Sequence, residues 1–91
     1  MTFDLERPWR LHDQVALRPE PFGALAYHFG NRRLTFLKTK KLLAVVEGLG
    51  EHPSGRDACL AAGVTDPELE AYQVALGSLE RSGMLVEREA A

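Results

Sequence analysis

The first half of the chain alternates apolar and polar positions, and the second half changes to helical spacing. Val15 and Leu17 share one side of a short run from Gln14 to Arg18, which is expected to stop at Pro19-Glu20-Pro21 because proline lacks a backbone donor. Phe22-Gly23 completes that turn. Runs from Ala24 to Phe29 and from Arg32 to Lys38 predict two more strands around Gly30-Asn31, a pair suited to the positive φ angles of a two-residue hairpin. Such a hairpin sets Phe29 opposite Arg32, Tyr27 opposite Leu34 and Leu25 opposite Phe36. The last two pairs are apolar, so their face is the one expected to seek a helical cover. His28 with Arg33, Ala26 with Thr35 and Ala24 with Leu37 are smaller and more polar, and are expected on the less buried face.

Three helices follow. Thr39 is placed to cap one in which Leu42, Leu43, Val45, Val46 and Leu49 recur at helical spacing, ending near Gly50. A short one is expected from about Gly55 to Ala62, after Pro53-Ser54 and closed by Gly63. The third opens at Thr65-Asp66-Pro67-Glu68, where a cap, a first-turn proline and an acid near the positive helix end coincide. Its stripe is Leu69, Tyr72, Leu76 and Leu79, and Gly83 ends it before a short closing segment at Met84-Leu85-Val86. Residues from Phe3 to Asp13 have no clean period and read as an extended arm, with Trp9 docked on the body. The expected organisation is an arm over residues 1–13 and one α+β domain over 14–91: a winged-helix-like three-stranded antiparallel sheet followed by three helices.

At 91 residues the chain has room for one small core and little room for a deep, water-excluded pocket, so self-contained catalysis is not expected. His12, His28 and His52 sit in separate segments without metal-ligand spacing, and no glycine-rich nucleotide motif occurs, so neither metal nor cofactor is expected. Cys59 stands alone between small apolar residues and reads as a packing position compatible with a reducing compartment. The N-terminus lacks the charge pattern of a signal peptide, and no apolar window is long enough to span a bilayer, which makes a cytoplasmic, membrane-free protein the expectation.

Charge changes the picture more than composition does. The formal net charge of −2 divides into −1 over residues 1–20, +5 over 21–46 and −6 over 47–91. A winged-helix DNA-binding regulator is the rival reading, yet residues 66–82 carry Asp66, Glu68, Glu70 and Glu80 against Arg81, the wrong sign for a helix among phosphates. The third strand offers another use. In the expected two-residue hairpin Arg33, Thr35 and Leu37 direct their backbone groups to the free edge, where an extended peptide could add as a strand. Arg32, Arg33 and Lys38 would equally serve to keep an edge strand from self-association. Lys40 and Lys41, in a first helical turn where cations oppose the dipole, are not explained by that role. From the residues alone, peptide docking and a purely structural surface stand level.

The run Arg7-Pro8-Trp9-Arg10-Leu11-His12, then Val15 to Gly30 and Arg33-Leu34-Thr35-Phe36-Leu37-Lys38, resembles the MftB family of mycofactocin-system peptide-binding proteins, which belongs with the PqqD-like peptide-recognition domains. The resemblance is densest from Arg7 to Lys41 and looser in the helices. It implies three strands followed by three helices, and a non-catalytic chaperone that binds the leader of a ribosomally made precursor peptide. It also implies a radical S-adenosylmethionine maturase as partner, which carries the iron–sulfur chemistry and acts on a C-terminal Val-Tyr of the precursor. In such domains the leader docks against the third strand beside the third helix. Carried over by position, this implies Arg33, Thr35, Leu37, Lys38, Tyr72, Leu76 and Leu79 as peptide-binding residues, with Arg32, Lys40 and Lys41 as a steering strip.

Overall fold

Thr39, Ser54 and Thr65 begin the three helices: the first two each offer a side-chain oxygen to a backbone N–H that has no partner inside the helix, and at Thr65 the Glu68 carboxylate reaches back to accept from the Thr65 N–H. In the computed structural model, which describes residues 2–89, these helices are α1 (Lys40–Gly48), α2 (Gly55–Ala61) and α3 (Asp66–Arg81). Met1, Ala90 and Ala91, the outermost residues of the expected arm and domain, lie outside that range. Thr39 Oγ1 accepts from the Leu42 N–H at 3.0 Å, and Ser54 Oγ accepts from the Asp57 N–H at 3.1 Å. Thr65 and Glu68 close a capping box on α3. A single 3-10 turn, Leu49–Glu51, follows α1, and Gly63 and Gly83 take positive φ after α2 and α3.

Among the described residues five strands make two sheets. β1 (Trp9–Leu11) pairs antiparallel with β5 (Leu85–Glu87), while β2 (Val15–Glu20), β3 (Gly23–His28) and β4 (Leu34–Leu37) form a three-stranded antiparallel meander. The small sheet was not expected. Its partners are far apart in sequence, and three-residue strands carry too little alternation to announce themselves. β2 also runs through Pro19 to Glu20 instead of stopping at Arg18. The Phe29 N–H bonds the Gln14 carbonyl, and alternation from that pair turns the Pro19 nitrogen toward the open edge, where a missing donor costs nothing.

The β3–β4 register is the expected one, with Tyr27 opposite Leu34, Leu25 opposite Phe36, Ala26 opposite Thr35 and Ala24 opposite Leu37. The loop is not. The His28 N–H bonds the Arg33 carbonyl at 2.9 Å and the Arg32 N–H bonds the His28 carbonyl at 2.8 Å, so residues 29–32 form the turn, and Arg32 holds the left-handed conformation at φ 62°. His28 shapes this loop from below, its Nδ1 accepting from the N–H groups of Gly30 at 3.0 Å and Asn31 at 3.1 Å. A Cβ on Gly30 would lie 2.8 Å from the His28 ring and 2.3 Å from Gln14 Oε1, so the glycine is there for closeness and not for φ.

The buried face of the meander is the opposite of the expected one. Ala24, Ala26, His28 and Leu37 face the helices and are buried, while Leu34 and Phe36 on the other face are 54% and 55% exposed. Size explains the inversion. α1 packs across β3, and a helix reaches a sheet closely only over small side chains, so the alanine face is covered and the bulky face left open. The core then joins Val45, Val46 and Leu49 of the α1 segment, Ala58 and Cys59 of α2, and Leu69, Leu76 and Leu79 of α3. Burial pushes the Cys59 thiol up, in keeping with a packing role.

Residues of the arm belong to this core. Phe3, Leu5 and Trp9 are buried, and Met84 and Leu85 lie in the same cluster. The Trp9 indole stacks on Phe3 with ring centroids 4.4 Å apart and donates its N–H to the Asp4 carbonyl at 2.8 Å. The carbonyls of Leu5 and Arg7 accept from the N–H groups of Arg56 at 2.8 Å and Gly55 at 3.1 Å, satisfying the first turn of α2. Among the described residues no helix is long and apolar enough to cross a membrane.

Candidate functional site

β4 is an edge strand, and the loop decides which of its backbone groups are free. Because the Arg33 carbonyl is bonded to His28, alternation turns the backbone groups of Thr35 and Leu37 inward to β3 and those of Leu34 and Phe36 outward. This corrects the expectation that Arg33, Thr35 and Leu37 present the free edge. A two-residue hairpin would have had that phase; the four-residue turn shifts it by one position. Thr35 and Leu37 contribute side chains to the site instead.

Beside the edge runs a groove of about 540 Å³ between β4 and α3. Its strand wall is Leu34 through Lys38, Thr39 and Leu42 close one end, and Ala71, Tyr72, Ala75, Ser78 and Leu79 make the helix wall. Among the implied site residues it brings together Thr35, Leu37, Lys38, Tyr72 and Leu79. Leu76 is fully buried in the core instead, and Arg33 lies outside the lining. The lining residues not anticipated on α3 are Ala71, Ala75 and Ser78, at i, i+4 and i+7. That spacing is visible in the sequence: it is the next face round from the apolar stripe, and its small side chains leave the space empty.

The charges around the groove divide into paired and unpaired. Lys41 donates to both Glu68 oxygens, at 3.1 and 3.3 Å, joining the first turn of α1 to the capping box of α3. Its dipole conflict is thereby offset, and it is not a free steering charge. Arg32, Arg33, Lys38 and Lys40 take part in none of the ion pairs between described residues. They stand at the two ends of β4.

Glu68 accepts from the Thr65 N–H at 3.0 Å, from the Thr65 hydroxyl and from Lys41, and these bonds, the Thr65 N–H first, hold its carboxyl below its usual pKa. A carboxyl lowered by folding contributes stability above its unfolded pKa of about 4.3 and loses it as pH falls through the lower folded value. Glu68→Gln is therefore expected to lower the melting temperature at pH 7, with the gap to the parent chain closing in acid below about pH 4. Thermal melts across that range check this.

His12 and His28, which belong to separate segments of the sequence, lie with ring centroids 4.4 Å from each other. Among the described residues no group of three or more His, Cys, Asp or Glu side chains is placed to hold a metal ion.

The family model of the peptide chaperone MftB family matches residues 8–86, a span that holds every residue lining the groove. The chain belongs to the MftB family. It is 60% identical over 89 residues to the peptide chaperone MftB of Mycobacterium ulcerans, covering 98% of this chain and 82% of that protein. The MftB of Mycobacterium tuberculosis is 56% identical over 87 residues, covering 96% of this chain and 80% of its own. For the MftB of Mycolicibacterium smegmatis the identity is 56% over 86 residues, with 94% and 84% covered. No solved structure matches the chain significantly.

Proposed function

We propose that this protein is a non-catalytic peptide chaperone that captures the leader of the mycofactocin precursor as a strand added to β4 and presents the precursor to a radical S-adenosylmethionine maturase. The observation that carries the reading is the groove itself, an unpaired strand edge on one wall and small or apolar α3 side chains on the other. Edge amides supply affinity to an extended chain, and alternate side chains entering the groove supply selectivity. Membership of the MftB family and its relatives' description as peptide chaperones support the same reading.

In this mechanism the domain does no chemistry. Holding leader and maturase together raises the local concentration of the precursor's reactive end, which strengthens the assembly without any new contact at that end. Arg32, Arg33, Lys38 and Lys40 attract an acidic leader, and the cytoplasm suits a chain whose one cysteine is a buried thiol.

Calorimetric titration with the leader tests the proposal, with duplex DNA as the control for a winged-helix regulator. Binding of leader, weaker at higher salt because the cations are exposed, is the expected result. Ala75→Trp, which fills the groove from α3, is expected to cost at least about tenfold in affinity, roughly 1.4 kcal/mol, with circular dichroism unchanged. DNA binding without leader binding, or a filled groove that binds as before, would sink it.

A further inference from the structure

The bulky face of the meander has no cover among the described residues. Leu25 and Tyr27 of β3 lie half-buried there beside the exposed Leu34 and Phe36 of β4, and Phe22 sits 6.1 Å from Phe36 between ring centroids. Leu34 and Phe36 belong to two surfaces at once, since they also form the lip of the groove. A strand added to β4 would lie about 4.8 Å from it, with side chains pointing alternately to the two faces of the sheet.

One set of those side chains enters the groove, toward Thr35, Leu37, Tyr72 and Leu79. The other set stands on the open face, with Cβ atoms about 5 Å from those of Leu34 and Phe36. Both sets meet apolar surface. A peptide that alternated apolar and polar residues would satisfy only one of them. Cations that form no ion pair with another described residue stand at each end of this four-residue strand, Arg32 and Arg33 at the loop and Lys38 and Lys40 at the helix.

We propose that the docked segment is read on both faces: its chemistry is a run of about four consecutive apolar residues, matched to the length of β4, with acidic residues on both flanks. This rests on the strand-addition reading of the groove. Phe36 and Leu34 are then specificity residues, selecting the outward positions of the peptide that a groove alone would ignore.

Three synthetic peptides with glutamate flanks test it by calorimetry on the full chain: one with a central Val-Leu-Val-Leu, and two in which alternate central residues, first or second set, are threonine. The continuous run is expected to bind about tenfold more tightly than either alternating peptide, and Phe36→Thr to reduce that advantage to about twofold or less. Ala75→Trp should weaken all three. Equal binding of the three peptides, or an advantage that survives Phe36→Thr, overturns two-faced reading while leaving strand addition standing. If none of them binds, strand addition itself fails and this inference with it. A sedimentation experiment in which Phe36→Thr converts a dimer to a monomer, with the peptide order unchanged, would assign the face to a second copy and overturn the proposal.

Discussion

Replacing Phe36 with proline is expected to abolish capture of the leader peptide while leaving the fold in place. The Phe36 N–H points to the open edge, so its removal takes no bond from the β3–β4 ladder, and proline is tolerated on an edge strand in that phase. For the incoming strand the loss is direct. One peptide carbonyl is left without a donor at a cost of about 1–3 kcal/mol, and the ring occupies space that the added strand needs, so a loss of about a hundredfold or more is expected. Phe36→Thr is the control for the lost aromatic side chain, since it removes that group and keeps the N–H. Thr35→Pro is the informative contrast. Its nitrogen faces Ala26, so the substitution breaks the hairpin, and lost binding would then accompany a lowered melting temperature. A folded Phe36→Pro protein with undiminished leader affinity would show that the leader does not add to β4.

Trp9→Ala is expected to destabilise the whole domain by about 3–5 kcal/mol, the range for deleting a large buried aromatic. The indole is 5% exposed, stacks on Phe3 and anchors the chain next to the Leu5 and Arg7 carbonyls that cap α2. In a domain of this size each kcal/mol is worth about 4–8 °C, so the thermal midpoint should fall by at least about 12 °C. An arm that merely rests on the body would give a shift within about 0.5 kcal/mol, the usual range for surface changes. Monitoring the melt by far-ultraviolet circular dichroism distinguishes the two. Loss of leader binding at a temperature where the variant remains folded would point instead to a role of the arm in docking.

Local chemistry made much of the fold legible. Thr39, Ser54 and the Thr65–Glu68 capping box announce three helix starts because capping is decided within a few residues, and Gly63 and Gly83 close α2 and α3 for the same reason. The β3–β4 register was also legible, since the pairs Tyr27/Leu34 and Leu25/Phe36 follow from where the turn is centred. Of the candidate site, Thr35, Leu37 and Lys38 stand out on the strand edge from the residues themselves, Tyr72 and Leu79 as groove walls only through the family resemblance, and all five line one groove. The residues alone leave peptide docking level with a plain surface, because an edge strand rich in cations serves either purpose.

Three features needed the assembled structure. Pairing of β1 with β5 joins segments from opposite ends of the chain, and nothing local in Trp9–Leu11 names Leu85–Glu87 as its partner. The phase of the β4 edge depends on a loop shaped by the His28 ring, a contact between a side chain and the backbone beyond it that periodicity does not encode. Which face of the meander is buried was the third. Alternation by itself determined that the meander has two distinct faces and that the bulkier is made of Leu25, Tyr27, Leu34 and Phe36. Only packing decided that the small face is the one covered, because a helix closes on alanines more nearly than on aromatic rings, and that choice leaves the large apolar side chains beside the edge where a peptide would dock.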